Sequence, residues 1–354
     1  MITSLLGDFY NFSFPQPQYL GSKYKHLHFI AEYLPANINK VADAFAGSQS
    51  VAYFFKQNGY QVFTNDFLSF SHKIGESLIE NKSFKLNNTD IEILLSKNRD
   101  SKYFDLMRKL FTDIFFREEE AEFLDSFRSN IDMLEKGKQS LAFSIINRSI
   151  TRKVTMGHFA HTSALNYANK IDRIKRNPNL IRPIKNIFLD LVSSYNSSIF
   201  DNKQDNKSYN LDAIEFTKLI NNDVDLIYFD PPYCGSHADY QSFYHLLETY
   251  TQYWKNKNFI NGTNRYSPKK YSGFDVKSDI LKSFEKLFYN ASKIPYWIVS
   301  YNDRSFPDIT IMKKLMQEYK YIEIKEKSYK NSVGGKGSVK GSKEILLIGV
   351  PKTN

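Results

Sequence analysis

Short apolar segments that end in a polar or acidic residue recur along the chain and predict the strands of a buried parallel sheet. Four segments show this pattern: residues 40–45, 60–66, 224–230 and 294–301. A helical stretch from Ser50 to Asn58 follows the first of them, and Gly59 is expected to end it. Residues 321–327 and 344–350 are typical of a closing antiparallel pair. Strands that alternate with helices predict an α/β sheet covered on both faces.

A different pattern fills the long interval between the second and third of these strands. Apolar residues recur there at helical spacing from Phe104 to Phe127, and Gly137 is expected to end that helical region. The basic stretch 147–159 is interpreted as a hairpin or loop. Because a simple crossover is much shorter, we predict an inserted, mainly helical subdomain.

This interpretation divides the chain into two parts. Residues 1–70 and 191–354 are predicted to form a catalytic domain, and residues 71–190 to form the inserted target-recognition subdomain. The length of 354 residues agrees with two domains, or with one large domain that carries an insertion.

Composition excludes several classes of protein. With 42% hydrophobic and 24% charged residues, the chain is not a disordered tail protein. Its one cysteine, Cys234, excludes an internal disulfide framework and a multi-cysteine zinc site. The sequence holds no apolar run of membrane-spanning length and no basic flank of a signal peptide at Met1. We therefore expect a cytoplasmic protein without a membrane partner.

The formal charge of +10 is unevenly distributed. Residues 141–190 carry nine basic and two acidic side chains, and residues 231–354 carry 20 and 11. The stretch 191–230 between them has a net charge of −4. Two basic blocks around an acidic stretch predict that the molecule attracts a polyanion, although a solvated basic face stays the alternative.

The most informative motif is Asp230-Pro231-Pro232-Tyr233, directly after an apolar strand. Ligands of open α/β sheets bind at that end of a strand. Asp230 and the Pro231 carbonyl can accept the two N–H bonds of an exocyclic amine, and Tyr233 can stack on its ring. Accepting both hydrogens aims the nitrogen lone pair at an electrophile. The alternative is a rigid Pro-Pro turn with a surface tyrosine.

A second motif predicts a nucleoside site. The turn Asp43-Ala44-Phe45-Ala46-Gly47 lies between a strand and a helix, where a glycine lets a ligand approach the backbone. Asp66 ends the next strand, at a position suited to ribose hydroxyls. No Gly-Lys-Ser/Thr follows Gly47, so a phosphate-binding loop is disfavoured. Acids at these strand ends suit a cationic nucleoside such as S-adenosylmethionine.

Four landmarks in one order make a family resemblance specific. They are Tyr19-Leu20-Gly21-Ser22-Lys23, the turn from Asp43 to Gly47, Asp230-Pro231-Pro232-Tyr233, and Val299-Ser300-Tyr301-Asn302. With its insertion ahead of the third landmark, the chain resembles the Dam-type (alpha-class, D12) N6-adenine DNA methyltransferases over residues 19–302. It departs from the family at Gln49, where a second glycine is frequent, which predicts a tighter or differently shaped turn.

The resemblance implies a Rossmann-like methyltransferase sheet that uses S-adenosyl-L-methionine and no metal to methylate N6 of a flipped adenine. It implies that Tyr19, Lys23, Asp66 and Asp230 contact the cofactor or the part of the site shared with the base. Lys23 is expected to pair with the methionine carboxylate, and Asp43 to face the ammonium. The remaining cofactor candidates are Phe45, Gly47 and Asp212. For Asp212, capping of a helix is the equal alternative.

Double-stranded DNA is the expected partner. Arg148, Arg152, Lys153 and His158, in the first basic block, are candidate contacts to phosphates or guanine edges. A restriction endonuclease that acts on the same site is a second expected partner, in a bacterial cell or encoded by a phage. The alternatives are an N4-cytosine DNA methyltransferase and a catalytically idle DNA-binding homologue.

Overall fold

The computed structural model describes residues 12–15, 18–97, 104–154, 159, 162–232, 239–303, 305–328 and 343–352. These residues form a seven-stranded sheet and a small two-stranded sheet. The strands are β1 (Lys40–Asp43), β2 (Gln61–Asn65), β3 (Lys207–Tyr209), β4 (Leu226–Phe229), β5 (Asn258–Ile260), β6 (Arg265–Ser267), β7 (Tyr296–Asn302), β8 (Lys320–Ser328) and β9 (Lys343–Pro351).

The main sheet is mostly parallel. Its order is β3-β2-β1-β4-β7-β9-β8. The first five strands are parallel to one another, and β9 is antiparallel to both β7 and β8. The α/β class and the closing antiparallel pair are thus confirmed. Each predicted strand ends within two residues of the observed one, whereas β3 and the β5–β6 hairpin were not predicted.

Helices cover both faces of the sheet. They are α1 (Leu27–Ala31), α2 (Ser50–Gln57), α3 (Ser69–Gly75), α4 (Asn88–Leu95), α5 (Leu106–Phe111), α6 (Glu118–Ile131), α7 (Lys136–Lys153), α8 (Ala164–Ala168), α9 (Ile171–Arg176), α10 (Ile184–Ser197), α11 (Ala213–Ile220), α12 (Tyr240–Phe243), α13 (His245–Gln252), α14 (Ile280–Asn290) and α15 (Ile309–Gln317). Short 3₁₀-helices lie at Lys23–His26 and Pro178–Leu180, and a π-helical turn at Glu76–Glu80. In the described residues, none of these helices has both the length and the apolar character that crossing a membrane requires.

Alternate residues of the central strands pack into two apolar layers. Val41 and Leu226 belong to one layer, which also takes in buried residues of α2, α3, α6, α7 and α10. Ala42 and Ile227 belong to the other, which is covered by α11, α14 and α15. Apolar burial on both faces explains why these strands are continuous apolar runs.

The helices between β2 and β3 share the first layer with the sheet. Phe127 of α6, for example, packs edge-to-face on Phe188 of α10 in the same apolar cluster that contains Val41. The helical character predicted for this region is confirmed. The division at residues 71 and 190 stays a prediction, because the apolar layer continues across both positions.

Two local predictions in this region are wrong. Gly137 does not end a helix but is the second residue of α7, and a Cβ at this position would overlap the ring of Phe84. Residues 147–153, predicted as a hairpin or loop, are helical because Ile146 and Ile150 continue the buried face of α7. Residues 155–158 lie outside the described residues.

The chain order of the sheet reverses between β1 and β4. The connections from β1 proceed toward β2 and β3, whereas those from β4 proceed toward β7. Loops at the carboxyl ends of β1 and β4 therefore diverge and leave a crevice there. Asp43 closes β1 and Asp230 follows β4 directly, so the fold places both acids at this crevice.

Candidate functional site

The turn after β1 is shaped by a close aromatic contact. Gly47 has φ of +46°, and a Cβ there would lie 2.7 Å from the ring of Tyr19. The Tyr19 ring also stacks on Tyr244, with centroids 4.9 Å apart. Phe45 makes an edge-to-face contact with Phe274 at 5.2 Å. Gly47 is therefore required by both its backbone angle and the ring above it.

Gln49 keeps the turn in a glycine-like conformation. Its φ of +63° and ψ of +14° lie in the left-handed region, which costs a non-glycine residue about 1 kcal/mol. The side chain is fully buried and accepts a hydrogen bond from Thr64 Oγ1 at 2.6 Å. Its amide donates to the Ser71 carbonyl at 3.3 Å. These two bonds offset the backbone cost and attach the turn to β2 and α3.

Asp66 braces the same turn from the end of β2. Its Oδ2 accepts the backbone N–H of Gly47 at 2.7 Å, and its Oδ1 accepts that of Leu68 at 2.8 Å. Burial raises the pKa of Asp66 to about 6, although these hydrogen bonds oppose the shift. Each carboxylate oxygen still has a lone pair that can accept a further donor.

Asp43 is the most deeply buried acid of the site. It is 1% exposed, and burial together with the charge of Asp230 raises its pKa well above the ordinary range. Among the described residues, no hydrogen-bond donor is present for its Oδ1. A buried carboxylate oxygen that lacks a donor is costly, and a cationic ligand would compensate it.

Asp230 is held by a lysine from the amino-terminal motif. Lys23 begins the 3₁₀-helix Lys23–His26 and is 6% exposed. Its Nζ lies 3.2 Å from Asp230 Oδ1 and 3.3 Å from Glu344 Oε1. The sequence interpretation directed this ammonium to a cofactor carboxylate, whereas the structure directs it to two protein carboxylates. Pro231 is buried and Pro232 partly buried beside them, and Tyr233 lies outside the described residues.

Asp212 caps a helix and also faces the site. Its Oδ1 accepts the backbone N–H of Ile214 at 2.9 Å, at the start of α11. Burial raises the pKa of this carboxyl. The two alternatives for Asp212 are thus compatible, because one oxygen serves as the cap while the residue lines the cavity.

One cavity, open to solvent, brings the strand-end residues together. Every cofactor candidate from the sequence lines it: Tyr19, Lys23, Asp43, Phe45, Gly47, Asp66, Asp212 and Asp230. Pro231 and Pro232 line it as well. The individual contacts of these residues with a ligand stay predictions.

Sequence reasoning missed several residues of this site. Tyr240, Phe274 and Asp275 line the cavity, and Glu344 binds Lys23. Tyr240 stacks on Tyr19 with centroids 5.7 Å apart. No local motif identifies these residues, since each reaches the cavity through contacts that are distant along the chain.

The DNA-contact candidates are distributed differently from the expectation. Arg148 is partly buried on α7, and its Nη1 donates to Gln18 Oε1 at 3.3 Å, next to the cavity-lining Tyr19. Arg152 is partly exposed. Lys153 is buried, with Nζ 2.5 Å from Glu120 Oε1 and hydrogen-bonded to the Arg182 carbonyl. That position gives Lys153 a packing role and argues against a DNA contact. His158 lies outside the described residues.

Comparison with known proteins identifies the family. Residues 19–329 match the sequence profile of the D12 class N6 adenine-specific DNA methyltransferases. The Type II methyltransferase M2.HphI of Haemophilus parahaemolyticus is 30% identical over 351 residues, which cover 96% of this chain and 98% of that relative. The Type II methyltransferase M.NlaIII of Neisseria lactamica is 23% identical over 331 residues, with 88% and 91% covered. The modification methylase StsI of Streptococcus sanguinis is 24% identical over 317 residues, with 81% and 44% covered. Because the profile spans most of the chain and M2.HphI matches along nearly its whole length, the chain belongs to the D12 class N6 adenine-specific DNA methyltransferase family.

Proposed function

We propose that the cavity binds S-adenosylmethionine and that Asp230 positions the N6 amine of an adenine flipped out of double-stranded DNA. The observation that carries the proposal is the grouping of Asp43, Asp66 and Asp230 around one cavity, at the ends of β1, β2 and β4. An adenine within the duplex cannot reach a cavity at the edge of a sheet, so the base must leave the stack.

The cofactor residues fit a cationic nucleoside. S-adenosylmethionine supplies an electrophilic methyl group when it is bound. Asp43, whose Oδ1 has no donor among the described residues, suits the positive charge of the methionyl part. Asp66 can accept from ribose hydroxyls while it holds the turn through Gly47. Phe45 and Tyr240 offer aromatic walls to a nucleoside.

Asp230 acts on the substrate amine. Its carboxylate and the Pro231 carbonyl accept the two N–H bonds, which keeps the nitrogen lone pair out of the ring and directs it toward the methyl donor. The proton leaves N6 after the methyl group arrives, so Asp230 needs to position the amine rather than act as a strong base. Pro231 and Pro232 keep the acceptors rigid because proline fixes φ.

Substitution of Asp230 tests this function. We expect Asp230→Ala to reduce methyl transfer by at least about 1,000-fold, since it removes the carboxylate that accepts from the substrate amine. DNA affinity should stay within about twofold, because the phosphate contacts lie elsewhere. Transfer of a tritiated methyl group to a duplex oligonucleotide measures the first quantity, and fluorescence anisotropy measures the second.

Asp223→Ala is the matched control. Asp223 is exposed and lies just ahead of β4, at the end opposite the cavity. The control should keep full turnover. Turnover by Asp230→Ala near the level of the control would disprove the proposed role of Asp230.

We further infer that the chain modifies the target of a partner restriction endonuclease in the cytoplasm. The support is the names of the relatives, two of which are Type II methyltransferases. Sequencing of methylated adenines in DNA from expressing cells would identify the target. That DNA should then resist the endonuclease that recognises the same sequence, and methylation scattered without a consensus would contradict the inference.

A further inference from the structure

The ion pair of Lys23 and Asp230 contains a third member from the far end of the chain. Glu344 begins the buried part of β9, is 3% exposed, and its Oε1 lies 3.3 Å from Lys23 Nζ. The hydroxyl of Ser300, on β7, donates to the same oxygen. Lys23 therefore lies between two carboxylates, one of which follows β4 and the other of which belongs to β9.

The sheet explains how Glu344 reaches this position. β7 lies between β4 and β9, and Glu344 is paired with Asn302 in the antiparallel register. Leu346 and Ile348, on the same face of β9, are buried in the apolar layer. Glu344 lies on this same face, at the end of β9 that is nearest the cavity, and puts a carboxylate where the apolar residues stop.

Stability alone does not account for that carboxylate. Asp230 already balances the charge of Lys23, so Glu344 adds a buried negative charge to a pair that is neutral without it. Such a charge costs folding free energy, and an apolar side chain would continue the layer at lower cost. Because Glu344 contacts Lys23, and Lys23 holds Asp230, we expect this destabilising carboxylate to have a function at the site.

We propose that Glu344, held by Ser300, is a positioning residue that fixes the ammonium of Lys23 and thereby the orientation of the Asp230 carboxylate. This inference rests on the proposed function of Asp230. Glu344 anchors Lys23, and the anchored ammonium holds Asp230 Oδ1. The amine of the substrate then meets an acceptor whose direction is already set, which is the condition for efficient transfer.

Several titratable groups around Asp230 can contribute to the pH profile of kcat. Lys23, Asp43, Glu344 and the hydroxyl groups of Tyr19, Tyr228 and Tyr240 interact electrostatically with Asp230 or with its partners. His26 faces Glu344 from the 3₁₀-helix that carries Lys23. Removing the charge of Glu344 changes no proposed ligand contact.

Glu344→Gln is the test. Glutamine keeps the size and can still accept from Ser300 and Lys23, but it lacks the charge. We expect kcat for methyl transfer to fall about 10- to 100-fold, as for other residues that orient a group at the site. KM for the cofactor and for DNA should stay within about twofold. The acidic limb of the kcat profile should move to lower pH, because Asp230 loses a repelling neighbour.

The matched control is Glu326→Gln. Glu326 is an exposed carboxylate on the neighbouring strand β8, where it pairs with Lys343 at 2.7 Å. This variant should keep the wild-type kcat and pH profile. Ser300→Ala gives an independent variant for the case that Glu344→Gln does not fold, and it should lower kcat in the same sense by about threefold to tenfold.

Two outcomes would overturn the proposal. In the first, Glu344→Gln and Ser300→Ala keep the wild-type kcat and pH profile. In the second, they lower kcat and the melting temperature together while the pH profile stays fixed, which is the signature of a purely structural role. Either result leaves the function of Asp230 intact if Asp230→Ala is inactive. Activity in Asp230→Ala would instead reject the proposed function itself.

Discussion

Asp66 has both a structural contact and a place in the candidate site. Asp66 holds the turn after β1 through the backbone N–H of Gly47 and also lines the cavity. Because the first task requires burial, the pKa of its carboxyl is raised to about 6. Asp66 therefore opposes folding when it is ionised.

Substitution of Asp66 by Asn should remove a measurable part of the pH dependence of stability. The pKa of Asp66 in the folded chain, about 6, lies above the ordinary value of 3.8. Its contribution is therefore fully present below pH 3.8 and is lost as the pH rises through about 6. Relative to Asp66→Asn, the wild-type protein should gain about 2 kcal/mol in free energy of unfolding between pH 7 and pH 4.

Urea denaturation of the two cofactor-free proteins across this pH range measures the difference. Comparison of the two proteins cancels the other titrating groups, which both of them share. The hydrogen bond that the asparagine side chain of the variant cannot accept lowers its stability at every pH by a constant amount. Parallel curves for the two proteins would show that Asp66 is not protonated in this range.

Gln49 stands where the family often has a glycine, and its backbone adopts the left-handed conformation that glycine favours. The sequence predicts an altered turn because a glycine is frequent there in the family. The structure has left-handed angles at Gln49, and the hydrogen bonds of its buried amide with Thr64 and Ser71 offset their cost. Neither bond partner could be identified from the local sequence, because both lie on later elements.

At the scale of elements, the strands and helix α2 were predicted well, whereas α7 was not. Each central strand is an apolar run that is buried on both faces, so its period and length are visible locally. β3 was missed because its three residues are polar or partly exposed. α7 was missed because Gly137 resembles a stop for the helical region before it, whereas the approach of Phe84 is what requires a glycine there.

Lys153, at the end of α7, provides the element-scale prediction. Its side chain is 5% exposed and ion-paired with Glu120 of α6. Lys153→Met should therefore lower the free energy of unfolding by about 3 kcal/mol, because it leaves a carboxylate without its partner. The double variant Lys153→Met, Glu120→Leu should recover most of that loss, which denaturant titration would measure.

Lys136→Met, at the exposed start of the same helix, should be neutral. The salt dependence of DNA binding separates the two interpretations of Lys153. A structural lysine leaves the slope of log affinity against log salt unchanged, whereas a phosphate contact lowers it by about 1. A lower slope together with unchanged stability would restore Lys153 to the DNA interface.

At the scale of the whole molecule, the charge pattern in the sequence predicts that the binding partner is negatively charged. It does not show which basic residues contact that partner. The excess of basic side chains in residues 141–190 is shared between two kinds of position. Lys153 and Arg148 are turned to protein partners, whereas Lys175 and Arg176 are exposed on α9. Sequence composition cannot separate these groups, because burial is decided by how α7 and α9 pack.

The exposed pair on α9 is the strongest basic candidate for phosphate contacts. α9 has no buried residue, and neither Lys175 nor Arg176 has an ion-pair partner in the part of the chain that the structure describes. Replacing both by Gln should weaken binding of duplex DNA and lower the log–log salt slope by about 2. Cofactor affinity should not change, because neither residue lines the cavity.

Lys218→Gln is the control for this experiment. Lys218 is exposed on α11, which packs in the apolar layer on the opposite face of the sheet from α10. If DNA binds the face of the protein that is covered by the helices between β2 and β3, the two substitutions on α9 should lower the salt slope. The substitution at Lys218 should leave it unchanged. Equal effects from both faces would mean that the protein's overall charge, rather than a located interface, governs DNA binding. If the substitutions on α9 leave the salt slope unchanged, this helix does not contact DNA. The phosphate contacts would then be expected in the second basic block, residues 231–354.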